Sequence, residues 1–170
     1  MPVSKEEAVA AGRAKAREYM RLCGSCAQST VMALQDILQL GDNAVARAAT
    51  AMTGGIGGQG DACGCLLGAA MITGMIYGID QHTIEDKRRM SAAIGKTTLL
   101  YNWFKQAHGS ARCRDIVTGF GDGVYYDMGI PEQAEKARDL GIDKKCGDLV
   151  EKTVAHMIDI LWENVQAMNS

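Results

Sequence analysis

With 170 residues, 47% of them hydrophobic, the chain is long enough for one domain with its own core and too short for two. Its 18 basic and 20 acidic residues are mixed throughout and leave a formal net charge of −2, which excludes the basic footprint of a nucleic-acid binder or of a protein held on an anionic membrane surface. Partners are therefore expected among proteins and small molecules, with no nucleic acid.

The N-terminal stretch MPVSKEEAVAAG is charged and lacks the apolar core and cleavage site of a signal peptide, so the expected compartment is the cytoplasm, where thiols stay reduced. Alanine, leucine and methionine are plentiful, the only prolines are Pro2 and Pro131, and no alternating β-branched run competes for strand. A first helix is predicted after Ser4, with Glu7 completing a capping box, running to about Met20. A second is predicted over Cys26 to Leu40, where Val31, Leu34, Ile37 and Leu38 recur at helical spacing and Gly41 ends it. Asp42 caps a short third helix that fades into a glycine-rich loop.

That loop opens the stretch GGIGGQGDACGCLLGAAMITG, Gly54 to Gly74. Gly55, Gly57 and Gly60 spell GxGxxG, and Asp80 follows at the distance of a ribose-binding acid. The context argues against a dinucleotide site: the preceding Val45 to Thr53 is alanine-rich and carries Arg47, and Asp61 puts a negative charge where a phosphate would sit. Asp61 reads instead as the N-cap of an apolar helix ending near Gly78. Ala62 to Ile79 carry no charge, yet four glycines and the flanking Asp61 and Asp80 favour a buried central helix, with no membrane span. Gly64 with Gly68, and Gly74 with Gly78, offer bare backbone for close approach by neighbouring helices.

Thr83 and Asp86 open a long helix through Trp103 and Phe104. Ser110 caps a short one around Cys113, Thr118 to Pro131 reads as a loop, and a last helix covers roughly Asp143 to Gln166. The whole is expected to be all-α, one domain over residues 1–170 with about five to seven helices.

Six cysteines are many for a cytoplasmic chain. Cys26, Cys63, Cys113 and Cys146 each fall in the first turn or two of a separate predicted helix, where unpaired N–H groups and the helix dipole favour a thiolate. Arg112 and Arg114 flank Cys113, while Lys144 and Lys145 precede Cys146, so Cys113 or Cys146 is expected to react faster than Cys63. Cys23 and Cys65 complete the close pairs CGSC and CGC, spacings that suit a dithiol switch or part of a metal site. His82, His108 and His156 lie outside the cysteine clusters and read as surface or packing residues.

On these residues the chain resembles the C_GCAxxG_C_C family of redox-active proteins, named for four scattered cysteines. Cys26 in CAQSTVMAL is similar to the first of them, Cys63 in CGCLLGAA to the second, Cys113 in GSARCRDI to the third and Cys146 in KKCGDLV to the fourth. Where members often read CGAxxG, this chain has Cys65 in the alanine position; taking Cys63 as the motif cysteine keeps the spacing to Gly68. Cys23 is additional to the pattern, so no role carries over to it. The resemblance implies redox activity without naming a substrate, and a site for an iron–sulfur cluster of the kind attributed to related helical modules in some cytochromes.

Three functions follow as expectations. In the first, Cys26, Cys63, Cys113 and Cys146 converge as thiolates on an iron–sulfur cluster or a zinc ion in an electron-transfer protein or oxidoreductase, exchanging electrons with a redox protein or a small-molecule donor or acceptor. In the second there is no metal: a low-pKa cysteine attacks and another resolves, with Cys23 and Cys65 as accessory thiols. In the third the cysteines only pack a helical interaction domain. Glycine faces and ten methionines also suit association with a second copy of the chain.

Overall fold

A computed structural model of the protein describes residues 4–168, so the extreme ends of the domain read from the sequence lie outside the described residues. Eight α-helices and no strand are found among them, which makes the protein all-α. α1 (Lys5–Cys23) starts where the capping box requires: Ser4 is extended, and its hydroxyl accepts from the Glu7 amide at 3.2 Å. α2 (Cys26–Leu38) starts behind Ser25, whose hydroxyl accepts from the Gln28 amide at 3.3 Å. It ends before the expected Leu40 because Gln39, not Gly41, turns left-handed at φ 57°. Asp42 caps α3 (Asn43–Ala49), which runs through a single 3-10 turn, Thr50–Met52, into the glycine loop.

The remaining helices are α4 (Gly64–Tyr77), α5 (Lys87–His108), α6 (Cys113–Phe120), α7 (Pro131–Asp139) and α8 (Ile142–Met168). α8 lies along α1 and α2 and reaches α4; α2 is sandwiched between α1 and α4. Val31, Leu34 and Leu38 of α2, Ile72 of α4, and Val154, Met157 and Ile158 of α8 are fully buried where these helices meet. α5 is peripheral, packed mainly on α4, and buries only Leu100 and Phe104 of its own residues. A smaller cluster of Val117, Tyr126, Ala137 and Ile142 fastens α6 and α7 to the start of α8.

The close approach expected at Gly64 and Gly68 is present: a Cβ on Gly68 would stand 2.6 Å from the Ala27 carbonyl oxygen of α2. The expectation for Gly74 and Gly78 does not hold. Gly74 faces open space, and Gly78 ends α4 against that helix's own Gly74 carbonyl.

Asp61 is not the cap of α4; Cys63 is, without a side-chain capping bond. The reason lies in the backbone. The Asp61 amide donates to the Gly55 carbonyl at 3.1 Å and its carbonyl accepts from the Cys113 amide at 2.6 Å, which keeps the chain extended through Ala62, bridged to Arg112. Ser110 likewise supports the start of α6 without capping it: its hydroxyl accepts from the Arg112 amide at 3.0 Å, and Arg112 is the cap residue. The expected loop from Thr118 to Pro131 is shorter at both ends, since α6 continues to Phe120 and Pro131 is the first residue of α7. α7 buries only Ala137, too little apolar periodicity to register in the sequence, and it takes the helix count above the expected range. No helix among the described residues is long and apolar enough to cross a membrane, and α4 has only 14 residues.

Candidate functional site

The glycine loop ties the start of α4 to the start of α6. Gly54, Gly55, Gly57, Gly58 and Gly60 all sit at positive φ, and the chain folds back on itself: the Gly57 amide donates to Ala51, Gly58 to Thr53 and Gly60 to Gly54. These amides bind carbonyls inside the protein, where a phosphate-binding loop would turn them outward. The loop's carbonyls then receive the first amides of α6, Arg114 donating to Gly60 at 2.9 Å beside the Cys113–Asp61 bond. From the other side the Cys63 amide donates to the Ala111 carbonyl at 2.8 Å. Gly55 fits only as glycine. With φ at 72°, a Cβ there would stand 2.6 Å from the Asp61 nitrogen and 2.8 Å from the Cys113 Cβ.

This stitching brings five of the six thiols to one small cavity of about 20 Å³, lined by Cys26, Cys63, Cys65, Cys113 and Cys146 and walled by Ile116, Val117 and Leu149. Cys26 is the first residue of α2, Cys63 the cap of α4, Cys113 the first residue of α6, and Cys146 stands in the second turn of α8. All four motif cysteines therefore occupy helix starts, as the sequence suggested. Cys65 lines the same cavity and is buried. Cys23 is exposed at the end of α1, with its sulfur 3.5 Å from the Ser29 hydroxyl, and does not line the cavity. All six thiols are free.

The thiols differ in ionisation. Cys26 is held down at about 6, first because the Cys65 thiol donates to its sulfur, and also because the amides of Gly54, Ala27 and Cys26 itself point at it; these outweigh the opposing effect of burial. Cys65 is pushed well above the ordinary thiol range by burial and by its bonds to Cys26 and Cys63. Burial, then repulsion between its charged form and the neighbouring Cys63 and Cys26 sulfurs, pushes Cys113 up to about 12, and Cys146 rises further through burial and the nearby Cys26, Cys63, Cys113 and Asp143. The expectation that the flanking cations would activate Cys113 or Cys146 is thus reversed. The Arg114 guanidinium lies 4.3 Å over the Tyr125 ring, and the Lys145 ammonium donates to the Phe120 carbonyl, so neither cation is turned to the sulfurs.

The donor set has the kind and number of ligands that an iron–sulfur cluster takes: four thiols on separate elements, with backbone amides aimed at one sulfur. Room and spacing are tighter. The cavity has about the volume of one water, and among the described residues no group of three or more His, Cys, Asp or Glu side chains stands ready to hold a single ion. A lone zinc, with Zn–S near 2.3 Å, would need its sulfurs drawn to roughly 3.8 Å of one another. The three histidines take no part: His82 is exposed in a turn, while His108 and His156 pack against Trp103.

A family model described as "Putative redox-active protein (C_GCAxxG_C_C)" matches residues 24–160, most of the chain and all four motif cysteines. Neither the curated proteins nor the solved structures yield a match.

Proposed function

The chain belongs to the C_GCAxxG_C_C family of redox-active proteins, and on that premise we propose that it is an electron-transfer protein in which Cys26, Cys63, Cys113 and Cys146 hold an iron–sulfur cluster. One observation carries this reading: four thiols from four different helix starts line the same apolar-walled cavity. A dithiol reaction needs two sulfurs and leaves Cys113 and Cys146 unexplained, because buried thiols pushed to such high pKa are poor nucleophiles at neutral pH. A thiolate-bound group accounts for all four, since a coordinating thiol is deprotonated outright.

When bound, the cluster would supply one-electron chemistry at a potential set by its hydrogen bonds and burial. The chain's own contributions are then specific. The amides at the start of α2 and in the glycine loop direct positive charge at the Cys26 sulfur, and Ile116, Val117 and Leu149 keep water from the thiols. The glycine loop fixes Cys63 against Cys113. The partner is a redox protein or a small-molecule donor or acceptor, and the compartment the reducing cytoplasm.

A second reading is favoured by the contact between Cys26 and Cys65. Cys26 is a thiolate at neutral pH with a protonated thiol donating to it, the arrangement of an attacking and a resolving cysteine. The deciding experiment is anaerobic purification followed by iron, zinc and acid-labile sulfide analysis. Iron and sulfide in comparable amounts, lost in each of Cys26→Ser, Cys63→Ser, Cys113→Ser and Cys146→Ser, are expected. Metal-free protein that forms a Cys26–Cys65 disulfide on mild oxidation would establish the second reading instead.

A further inference from the structure

Apart from the thiol cavity the protein has an open cleft of about 420 Å³ where α1, the end of α5 and α8 meet. Its volume lies in the range of small-molecule sites. Along one wall the Trp103 indole and the His156 imidazole stack face to face, with centroids 3.6 Å apart and planes 6° from parallel. His108 sets its ring edge-on to the same indole at 5.7 Å and 87°. Val9, Ala107 and Ala155 give the cleft apolar surface beside the rings.

Charge in the cleft is one-sided. Arg13 and Lys152 are exposed at it, and the described residues place no carboxylate within ion-pair distance of either. The acid present, Asp159, is already paired with Lys5 at 3.0 Å. Neither histidine offers a competing charge at neutral pH. Burial holds both below the ordinary imidazole range, and Lys152 lowers His108 further. The His108 Nε2 atom is buried and has no hydrogen-bond partner in the protein, an arrangement that native structures rarely leave uncompensated.

We propose that this cleft binds a small planar organic anion, a carboxylate carried on an aromatic ring. Arg13 and Lys152 take the carboxylate, and the Trp103–His156 stack and the apolar wall take the ring. The site is separate from the thiol cavity but close to it along α8, since Lys152 is one turn beyond Leu149, which walls that cavity. It stands whether the cysteines hold a cluster or act as bare thiols.

Benzoate is the probe. The chain has two tryptophans, so Trp162→Phe leaves Trp103 as the sole indole fluorophore. Because Trp162 is buried, the same titration is followed in the unaltered chain by the NMR shifts of the His108 and His156 ring protons. A saturable response to benzoate is expected, weakened about tenfold or more by Arg13→Ala and by Lys152→Ala, with benzamide and acetate both far weaker. Lack of saturation up to about 10 mM benzoate would overturn the proposal. Equal binding of benzamide would remove the carboxylate's role, equal binding of inorganic phosphate or acetate would remove the ring's, and unchanged affinity in both variants would remove the assigned cations; each result also overturns it.

Discussion

A Cβ placed on Gly64 would stand 2.4 Å from the Cys26 sulfur, so the helix starts bearing the first two motif cysteines meet with no side chain between them. Met52 O and Ala27 N lie 3.2 and 3.3 Å from the same point, which leaves the added methyl nowhere to go. Gly64→Ala is expected to push α2 from α4, lower stability by about 1–3 kcal/mol and disturb Cys26 labelling or cofactor content. Thermal melting and thiol mass spectrometry check this; an unchanged melt with unchanged Cys26 labelling would refute the contact.

In metal-free reduced protein, Cys26 should be alkylated ahead of Cys113 and Cys146 near neutral pH, because it alone among the three is pushed down, to about 6. Its rate should fall as pH drops through that value. Brief iodoacetamide exposure read by peptide mass spectrometry gives the order, and prior labelling of Cys113 or Cys146 would show that access outweighs ionisation.

The same shifts set a stability profile. Cys26 ionises at about 6 when folded against 9.0 ordinarily, so between those values the unfolded chain binds the extra proton; the contribution is full above pH 9, and is lost as pH falls towards 6. Cys113 acts in reverse, its contribution full below pH 9 and lost as pH rises towards 12. Urea denaturation of the reduced, metal-free protein should therefore show a rise from pH 6 to 9 that Cys26→Ser abolishes. A flat profile across that window in the unaltered chain would contradict the Cys26 assignment.

Cys65 and Cys23 should separate in behaviour. Cys65→Ala removes the donor to Cys26 and should raise the pH at which Cys26 labels, whereas Cys23→Ala, at an exposed helix end, should leave it in place. The pH dependence of Cys26 alkylation in the two variants decides, and equal shifts would argue against the Cys26–Cys65 contact.

Arg17 reaches across from α1 to the Glu151 carboxylate, which is buried on α8 while the guanidinium remains 59% exposed. Arg17→Ala leaves that carboxylate without its cation and should cost about 1–3 kcal/mol, less than breaking a fully buried pair because water screens the exposed partner. Chemical denaturation measures it. Restoration of stability by Glu151→Gln in the same chain would identify the stranded charge as the cause.

Local chemistry made much of this protein legible in its sequence. Ser4 with Glu7, Asp42 and Asp86 mark helix starts through bonds to residues two or three positions away, and Val31, Leu34 and Leu38 mark the face that α2 buries, so the all-α class and most helix positions follow from short-range rules. The placement of Cys26, Cys63, Cys113 and Cys146 at helix starts was legible for the same reason. Tertiary structure decided what depends on distant partners. Asp61 lost the cap of α4 because its backbone is bound to Gly55 and Cys113, and Cys113 lost its expected activation because its flanking Arg114 turns to Tyr125 while the sulfur is buried among other thiols. Cys65 entered the site because a helix beginning at Gly64 turns it inward towards Cys26, and the Trp103–His156 cleft arose from residues 53 positions apart that only the packing of α5 on the rest brings face to face. Caps and periodicity are encoded in neighbouring residues, whereas burial, ionisation and the meeting of side chains across helices are set by the packed whole.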